Sequence, residues 1–405
     1  MNTHHTFDVC IVGAGPAGTT TSLFLSKYNI DHLLIERAIF PRNKVCGESF
    51  YGRVSHVLRE IDESWAENLF QSGVLTTSRQ INVTYGKNGK ALKIRFPADA
   101  PPIVKCKRVV FDKLLLDKAL ESEHVKYLEG CNICKFEKEK QGWQLTDISG
   151  TTIIKTQLLI LAIGDKPIHL RQILPNYRMD GVEWLATRRY YKANDAHGIG
   201  LPGETFIFSK PLPYTVYTTP LSRDCTMIEL MIDKKFARKI NYKLEALLEQ
   251  TIRENAVLST YFNELEMTGK AEGVSMLLGT NPRSLSWDNT LVVGSAIGSI
   301  HPVTGNGVGH AMRSGQIAAF WAGQSLRYKN QSATFLQQYN KAIKQRFRMD
   351  YVKGFIYAYS IKVPRIALPL SRLLVYIQIF EIKFRSLPIK KLMFRPVEYY
   401  FRRRL

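Results

Sequence analysis

Phe7-Asp-Val-Cys-Ile-Val-Gly13-Ala-Gly15-Pro-Ala-Gly18 is the stretch whose reading decides the fold. Phe7–Val12 is a short apolar run of the kind that forms a buried strand. Three glycines follow at Gly-x-Gly-x-x-Gly spacing, then a helical pattern over Thr19–Lys27, then a second strand, His32–Ile35, that ends at Glu36-Arg37. That is a βαβ unit in about thirty residues. Gly13 permits the tight turn, Gly15 lets backbone approach a pyrophosphate, and Gly18 lets helix and strand pack closely. The helix N-terminus offers free N–H groups and partial positive charge to phosphates. An acid at Glu36 accepts from ribose hydroxyls, which favours FAD or NAD over NADP. Arg37 either stacks over adenine or stays solvated.

The chain has 405 residues, enough for more than one core, and its 45% hydrophobic and 22% charged content excludes a disordered protein. Met1–Gly15 shows no basic region or cleavage site, so no secretory leader is expected, and no apolar run reaches membrane-spanning length. Six scattered cysteines fit a reducing cytoplasm. The net charge is +21, and Lys341–Leu405 alone carries sixteen Lys and Arg against three acids, a net of +13. The bulky apolar residues interleaved there, as in Ile366–Phe380, suit a membrane interface rather than nucleic acid. The expectation is a cytoplasmic protein, peripheral on the inner face of the membrane, with an acidic carrier protein as another partner for the basic tail.

Further along, Ile81–Tyr85 and Ala91–Phe96 read as strands around a Gly-Lys-Asn-Gly turn, Val110–Glu121 as a helix, and Gln144–Thr146 with Thr152–Ile154 as a hairpin. Leu158–Ile163 and Thr290–Val293 read as buried strands, Tyr214–Thr219 and Cys225–Ile232 as strands, and Tyr242–Arg253 and Val308–Arg327 as helices. The dinucleotide-binding elements are thus split. The expected fold is α/β: a three-layer Rossmann-like FAD-binding domain (1–75, 105–171 and 272–330), an inserted antiparallel β-sheet substrate domain (76–104 and 172–271), and a basic amphipathic helical C-terminus (331–405).

Phe40-Pro-Arg-Asn-Lys-Val-Cys-Gly-Glu48 resembles the segment after the ribose acid in the geranylgeranyl reductase family of flavoproteins, whose fold is shared with aromatic-ring hydroxylases and flavin halogenases. Lys107–Leu114 resembles that family's Arg-x-x-Phe-Asp-x-x-Leu helix start, and Leu158–Gly164 its Ala-Asp-Gly strand end. Leu291–Gly309 resembles its second flavin motif, ending in Pro302-Val-Thr-Gly305-Asn306-Gly307-Val308. The resemblance implies FAD, with contacts spread over Gly13, Gly15, Ala17, Gly18, Glu36, Arg37, Cys46, Gly47, Arg108 and Ile133. At the flavin end it adds Gly294, Ser295, Pro302, Gly305, Asn306, Gly307 and Val308. Backbone N–H groups of Gly305–Gly307, opening a helix, point at the flavin edge that gains negative charge on reduction. Two departures stand out: Ser295 and Ile163 occupy places where the family carries Asp. A neutral hydrogen bond is roughly half as strong as a charge-assisted one, so FAD is expected to bind more loosely than usual.

The resemblance places Cys46 beside the flavin and the substrate. There it is a candidate catalytic residue that gates or supplies a proton, or else a small hydrophobe shaping the pocket. His301 and Tyr217 are other candidate proton sources. In the family's substrate stretch Pro220 is kept, Tyr217 stands for Trp and Thr219 for Phe, so Tyr217 and Pro220 are the candidate substrate residues. Cys131-x-x-Cys134 reads as chance, because residues three apart on a strand face opposite sides, and no metal is expected. His4-His5 reads as a disordered terminus. The leading function is reduction of C=C bonds in a lipophilic, polyprenyl-like substrate, with NAD(P)H or another small electron donor as transient reductant. The alternative is a monooxygenase or halogenase-like enzyme tailoring an aromatic or polyene metabolite, although the halogenase Trp-x-Trp-x-Ile-Pro signature is absent. The third is a degenerate, non-redox binding protein.

Overall fold

The computed structural model describes residues 3–362 apart from 52, 86–91, 97, 99–100, 165–169, 172, 175–176, 178, 193–203, 209–213, 241–242, 263–264, 283, 299 and 301–304. Pro302, His301, the Gly-Lys-Asn-Gly turn and the tail beyond 362 therefore lie outside the described residues.

A parallel sheet carries the glycine motif. Thr3–Val12 lies between Thr152–Leu161 and His32–Ile35, which in turn pairs with Val125–Leu128, all in parallel register. Thr290–Val292 extends the sheet on the far side of Thr152–Leu161. Val9, Cys10, Ile11, Leu33, Leu34, Leu159 and Ile160 are buried, as expected of strands covered on both faces. The Ile133–Glu139 and Gly142–Asp147 hairpin joins the same sheet antiparallel, through Thr152–Leu161. His4 and His5 are not a disordered terminus. They pair with Ile153 and Ile154 and so continue the first strand outward, because backbone ladder bonds are available there.

Helix Pro16–Lys27 begins earlier than its apolar pattern, at the residue after Gly15; Pro at a first helical position loses no needed N–H. It packs closely on helix Val308–Arg327. Gly315 makes that possible, since a Cβ there would overlap the Ala17 carbonyl oxygen and stand 2.8 Å from the Thr21 hydroxyl oxygen. Helix Arg108–Leu120 and helices Arg53–Ile61 and Glu63–Gln71 complete the domain, the last capped by Asp62, which accepts from the Trp65 N–H at 2.9 Å.

The second sheet has seven strands in the order Glu266–Pro282, Met179–Lys192, Cys225–Asp233, Tyr214–Pro220, Glu204–Phe208, Gln80–Tyr85, Leu92–Arg95. All pairings are antiparallel except Glu204–Phe208 with Gln80–Tyr85. The 17-residue strand Glu266–Pro282 carries this sheet past residue 271. Strand Cys225–Asp233 is buried on both faces, and its alternation divides the chemistry. Ile228, Leu230 and Ile232 pack under helices Leu244–Glu254 and Ala256–Phe262. Met227, Glu229 and Met231 face the glycine-motif domain with Trp184 and Tyr217.

Helix Ala333–Lys362 starts the C-terminal region. Its face Leu336, Tyr339, Ile343 and Phe347 is fully buried in the main core, so this part is an integral element rather than a solvated basic arm. Among the described residues no helix is long and apolar enough to cross a membrane.

Candidate active site

The end of the cradle expected to take adenosine is built from backbone first. Gly13 sits at φ 107°, and a Cβ there would stand 2.5 Å from the Ala162 carbonyl oxygen. A Cβ on Gly18 would overlap the Gly13 carbonyl oxygen. Both positions therefore require glycine. The helix that follows has Gly15 as its N-cap with no side chain capping it, which leaves its N-terminal N–H groups to a ligand. Glu36 is 6% exposed; its Oε2 accepts from the Ala14 N–H at 2.9 Å and its Oε1 from the Ala38 N–H at 3.0 Å. Those bonds fix the carboxylate at the strand end, with lone pairs left for ribose hydroxyls. Arg37 is exposed beside it. Ile133 opens the strand after Cys131, whose N–H donates to the Glu36 carbonyl at 2.9 Å.

Arg42 is a residue that the sequence reading passed over. Its guanidinium lies 3.3 Å from Asp112, 3.9 Å from Glu36, and 3.4 Å from where a Gly15 Cβ would be. A cation held over the glycine turn is placed for a pyrophosphate. Its position in Phe40-Pro-Arg-Asn, just past the ribose acid, was the available signal.

At the flavin end Gly294 is at φ 78°, 3.0 Å by its missing Cβ from Ala17, and its N–H donates to the Ser314 hydroxyl at 2.9 Å. Ser295 is half-buried on the turn that follows, and Ile163 lies half-buried after the Leu161 strand end. Gly305 takes φ 65°, and Gly307 caps helix Val308–Arg327 with no side chain on its N-terminal N–H groups. Asn306 Nδ2 donates to the Ser49 carbonyl at 3.4 Å. Two glycine-lined, uncapped helix starts joined through Ala17 and Gly294 make a cradle that fits a dinucleotide with an isoalloxazine.

Between the two domains the loop Asn43–Glu48 is gripped from both sides. From the glycine-motif domain, Arg108 donates two bonds of 2.6 Å to Asp112 and its guanidinium also meets the Cys46 side chain. From the sheet, Arg188 donates to the Cys46 carbonyl at 2.8 Å, to Glu48 at 3.0 Å and to Asn43 at 3.1 Å. Gly47 faces Tyr217 and Glu229: a Cβ on it would overlap the Tyr217 hydroxyl and stand 2.9 Å from Glu229 Oε2. Arg188, Glu229 and Tyr217 are consecutive cross-strand partners, so they share one face. Tyr217 donates to Glu229 Oε2. Burial raises the Glu229 carboxyl to about 7, against the pull of the Tyr217 hydrogen bond and the Arg188 charge. Burial, followed by the Glu229 charge, pushes the Tyr217 phenol well above its ordinary range. Pro220 ends the Tyr217 strand, half-buried.

With that geometry in view, residues 6–61 match the sequence profile of the family described as FAD binding domain. The match covers the βαβ unit that carries the glycine motif and Glu36. That match supports FAD as the cofactor for which the cradle is built. The chain is 22% identical over 360 residues to conditioned medium factor receptor 1 of Dictyostelium discoideum, covering 85% of this chain and 69% of that protein. It is 25% identical over 343 residues to a digeranylgeranylglycerophospholipid reductase of Methanococcus vannielii, covering 84% and 83%. It is also 25% identical over 325 residues to a tryptophan 2-halogenase of Chondromyces crocatus, covering 77% and 60%. Among solved structures, a geranylgeranyl bacteriochlorophyll reductase-like protein from Thermoplasma acidophilum superposes with a TM-score of 0.78 at 16% identity, over 96% of this chain and 99% of that one. At that identity the superposition shows a shared fold.

The structure gathers Cys46, Gly47, Arg108 and Tyr217 into one cluster, and groups Gly13, Ala17, Gly18, Glu36 and Gly294 in another. Cys131 is half-buried and Cys134 exposed. Glu229, Arg188 and Glu48 were missed by the sequence reading. Glu229 lies in the apolar run Met227–Ile232, Arg188 in a strand and Glu48 in a loop far from it in sequence, and only the tertiary structure brings them together.

Proposed function

We propose that the flavoprotein reduces C=C bonds of a lipophilic, polyprenyl-like substrate. The observation that carries this is where the Cys46–Gly47 loop sits. It faces an apolar wall of the inserted sheet, made by Trp184, Met227 and Met231, against which Ile300 of the glycine-motif domain packs, with a Gly305 Cβ position only 2.8 Å from the Met231 methyl. An alkene chain is desolvated on such a wall beside the flavin loop. Bound FAD, reduced by NAD(P)H or another small electron donor, supplies the hydride. The residues do the rest: Glu36 and Arg42 anchor the nucleotide, Gly305–Gly307 present N–H groups to its reduced edge, and Arg108 with Arg188 hold Cys46 against the substrate. The relative named digeranylgeranylglycerophospholipid reductase supports the substrate class. The basic tail is then a contact to the anionic membrane surface in which such a substrate resides.

The test is anaerobic. The FAD-loaded protein is reduced with dithionite, and digeranylgeranylglycerophospholipid is added in detergent micelles. The expected result is recovery of the oxidised flavin absorbance together with a lipid mass gain of one hydrogen pair per saturated bond. Absence of anaerobic turnover, with hydroxylated or halogenated products formed in air, favours a monooxygenase or halogenase and sinks the reductase reading.

A further inference from the structure

We propose that Tyr217 and Glu229 form a proton relay that delivers the second hydrogen of the reduction, with Tyr217 as donor and Glu229 as its reservoir. The inference rests on the reductase reading above.

Three independent observations carry it. Glu229 is fully buried and sits on the face that meets Gly47, where it is the register partner of both Tyr217 and Arg188. Its Oε2 accepts from the Tyr217 hydroxyl, while its Oε1 has no hydrogen-bond partner among the described residues. A buried carboxylate with one oxygen unsatisfied is costly, and a protonated carboxyl avoids that cost. Gly47 completes the site: a side chain there would occupy the space beside the Tyr217 hydroxyl, so glycine keeps the approach from the Cys46 loop open. A tyrosine and a carboxyl held this way do nothing for packing that Phe and Leu would not do. The groups facing Glu229 are Tyr217, Arg188 and Glu48, and Cys46 faces Tyr217.

The step balances. Saturation adds one hydride and one proton across the double bond. The hydride reduces the alkene at the first carbon, and the electron pair of the broken π bond takes the proton at the second. The Tyr217 O–H bond breaks as the new C–H bond forms. The Glu229 O–H bond then breaks to reprotonate Tyr217, and the Glu229 carboxylate regains its proton from solvent after product leaves. Cys46 in this arrangement shapes the approach to the hydroxyl rather than supplying the proton.

Two measurements test the relay, one of them without turnover. In the flavin-free protein, infrared titration should show a protonated-carboxyl band that disappears near pH 7 and is absent in Glu229→Gln. A wild-type protein without that band overturns the proposal whatever its activity. In the FAD-loaded enzyme, anaerobic lipid-dependent flavin reoxidation should fall by about 100- to 10,000-fold in Tyr217→Phe. Glu229→Gln should remove the loss of rate above pH 7. Reoxidation by ferricyanide, which takes no proton, should stay unchanged in both variants. Lipid reduction at the wild-type rate and pH profile in Glu229→Gln overturns the relay while leaving the reductase reading intact. A wild-type enzyme that reduces no alkene overturns both.

Discussion

Arg188, from the inserted sheet, donates to the backbone carbonyl of Cys46 at 2.8 Å, so the loop that bears the thiol is fixed from that sheet. The same guanidinium pairs with Glu48 at 3.0 Å and with Glu272 at 2.7 Å, and the arginine is among the largest fully buried side chains. Arg188→Met leaves Glu48 buried without the guanidinium that pairs with it, held only by neutral donors such as the Arg108 N–H at 3.1 Å. Breaking a buried pair from one side costs about 3–5 kcal/mol, which should appear as a lowered urea midpoint with an unchanged slope. Arg188→Lys should not restore it, because one ammonium does not reproduce a fork that reaches Asn43, Cys46 and Glu48 together.

Glu36 anchors two backbone N–H groups, those of Ala14 and Ala38. Glu36→Ala removes them along with the ribose acceptor. At about 1.5–3 kcal/mol for a charged hydrogen bond, FAD affinity should weaken roughly 10- to 100-fold. Quenching of flavin fluorescence on titration reads this directly; an unchanged dissociation constant contradicts the assigned adenosine end.

Gly315 is where helix Val308–Arg327 crosses helix Pro16–Lys27. Gly315→Ala forces a methyl into the Ala17 carbonyl, so the helices must part. Overpacking of this kind costs about 1–3 kcal/mol. Because both helices begin at the flavin cradle, the melting temperature and FAD retention on gel filtration should fall together.

His310 gives the fold an acid limit. Burial, with Arg53 alongside, lowers its imidazole to about 4 from an ordinary 6.5, while Asp350 at 3.2 Å pulls the other way. The unfolded chain binds this proton first, so the contribution is complete above pH 6.5 and is lost as pH falls towards 4. Glu229 acts in the opposite sense: its carboxyl is raised from 4.5 to about 7, so its contribution is complete below 4.5 and is lost as pH rises through 7. In urea denaturation as a function of pH, His310→Gln should reduce the acid-side loss and leave the alkaline side unchanged. Identical profiles for this variant and wild type would refute the assignment.

Much of the fold was legible locally. His32–Ile35 and Val308–Arg327 match their expected bounds, because a four-residue apolar strand and a long helix opened by glycines carry their own signals. Helices Arg53–Ile61 and Glu63–Gln71 and strand Glu266–Pro282 were not anticipated. That strand has Gly269, Gly273 and several exposed residues, so neither alternation nor an apolar run marks it; pairing with Met179–Lys192 creates it. The C-terminal helix was expected as a basic amphipathic element, but its docking was not legible locally: only the tertiary structure brings Tyr339 to the Val292 carbonyl at 2.7 Å.

The sequence by itself determined the glycine turn and the acid at the end of the second strand. Gly13, Gly18 and Glu36 act through backbone conformation and bonds closed within about thirty residues, and short-range chemistry of that kind is written in spacing. Tertiary structure alone decided what meets Cys46. Arg188 and Glu229 are separated from it by more than a hundred residues and reach it through strand register, in which a one-residue slip would turn both side chains to the opposite face.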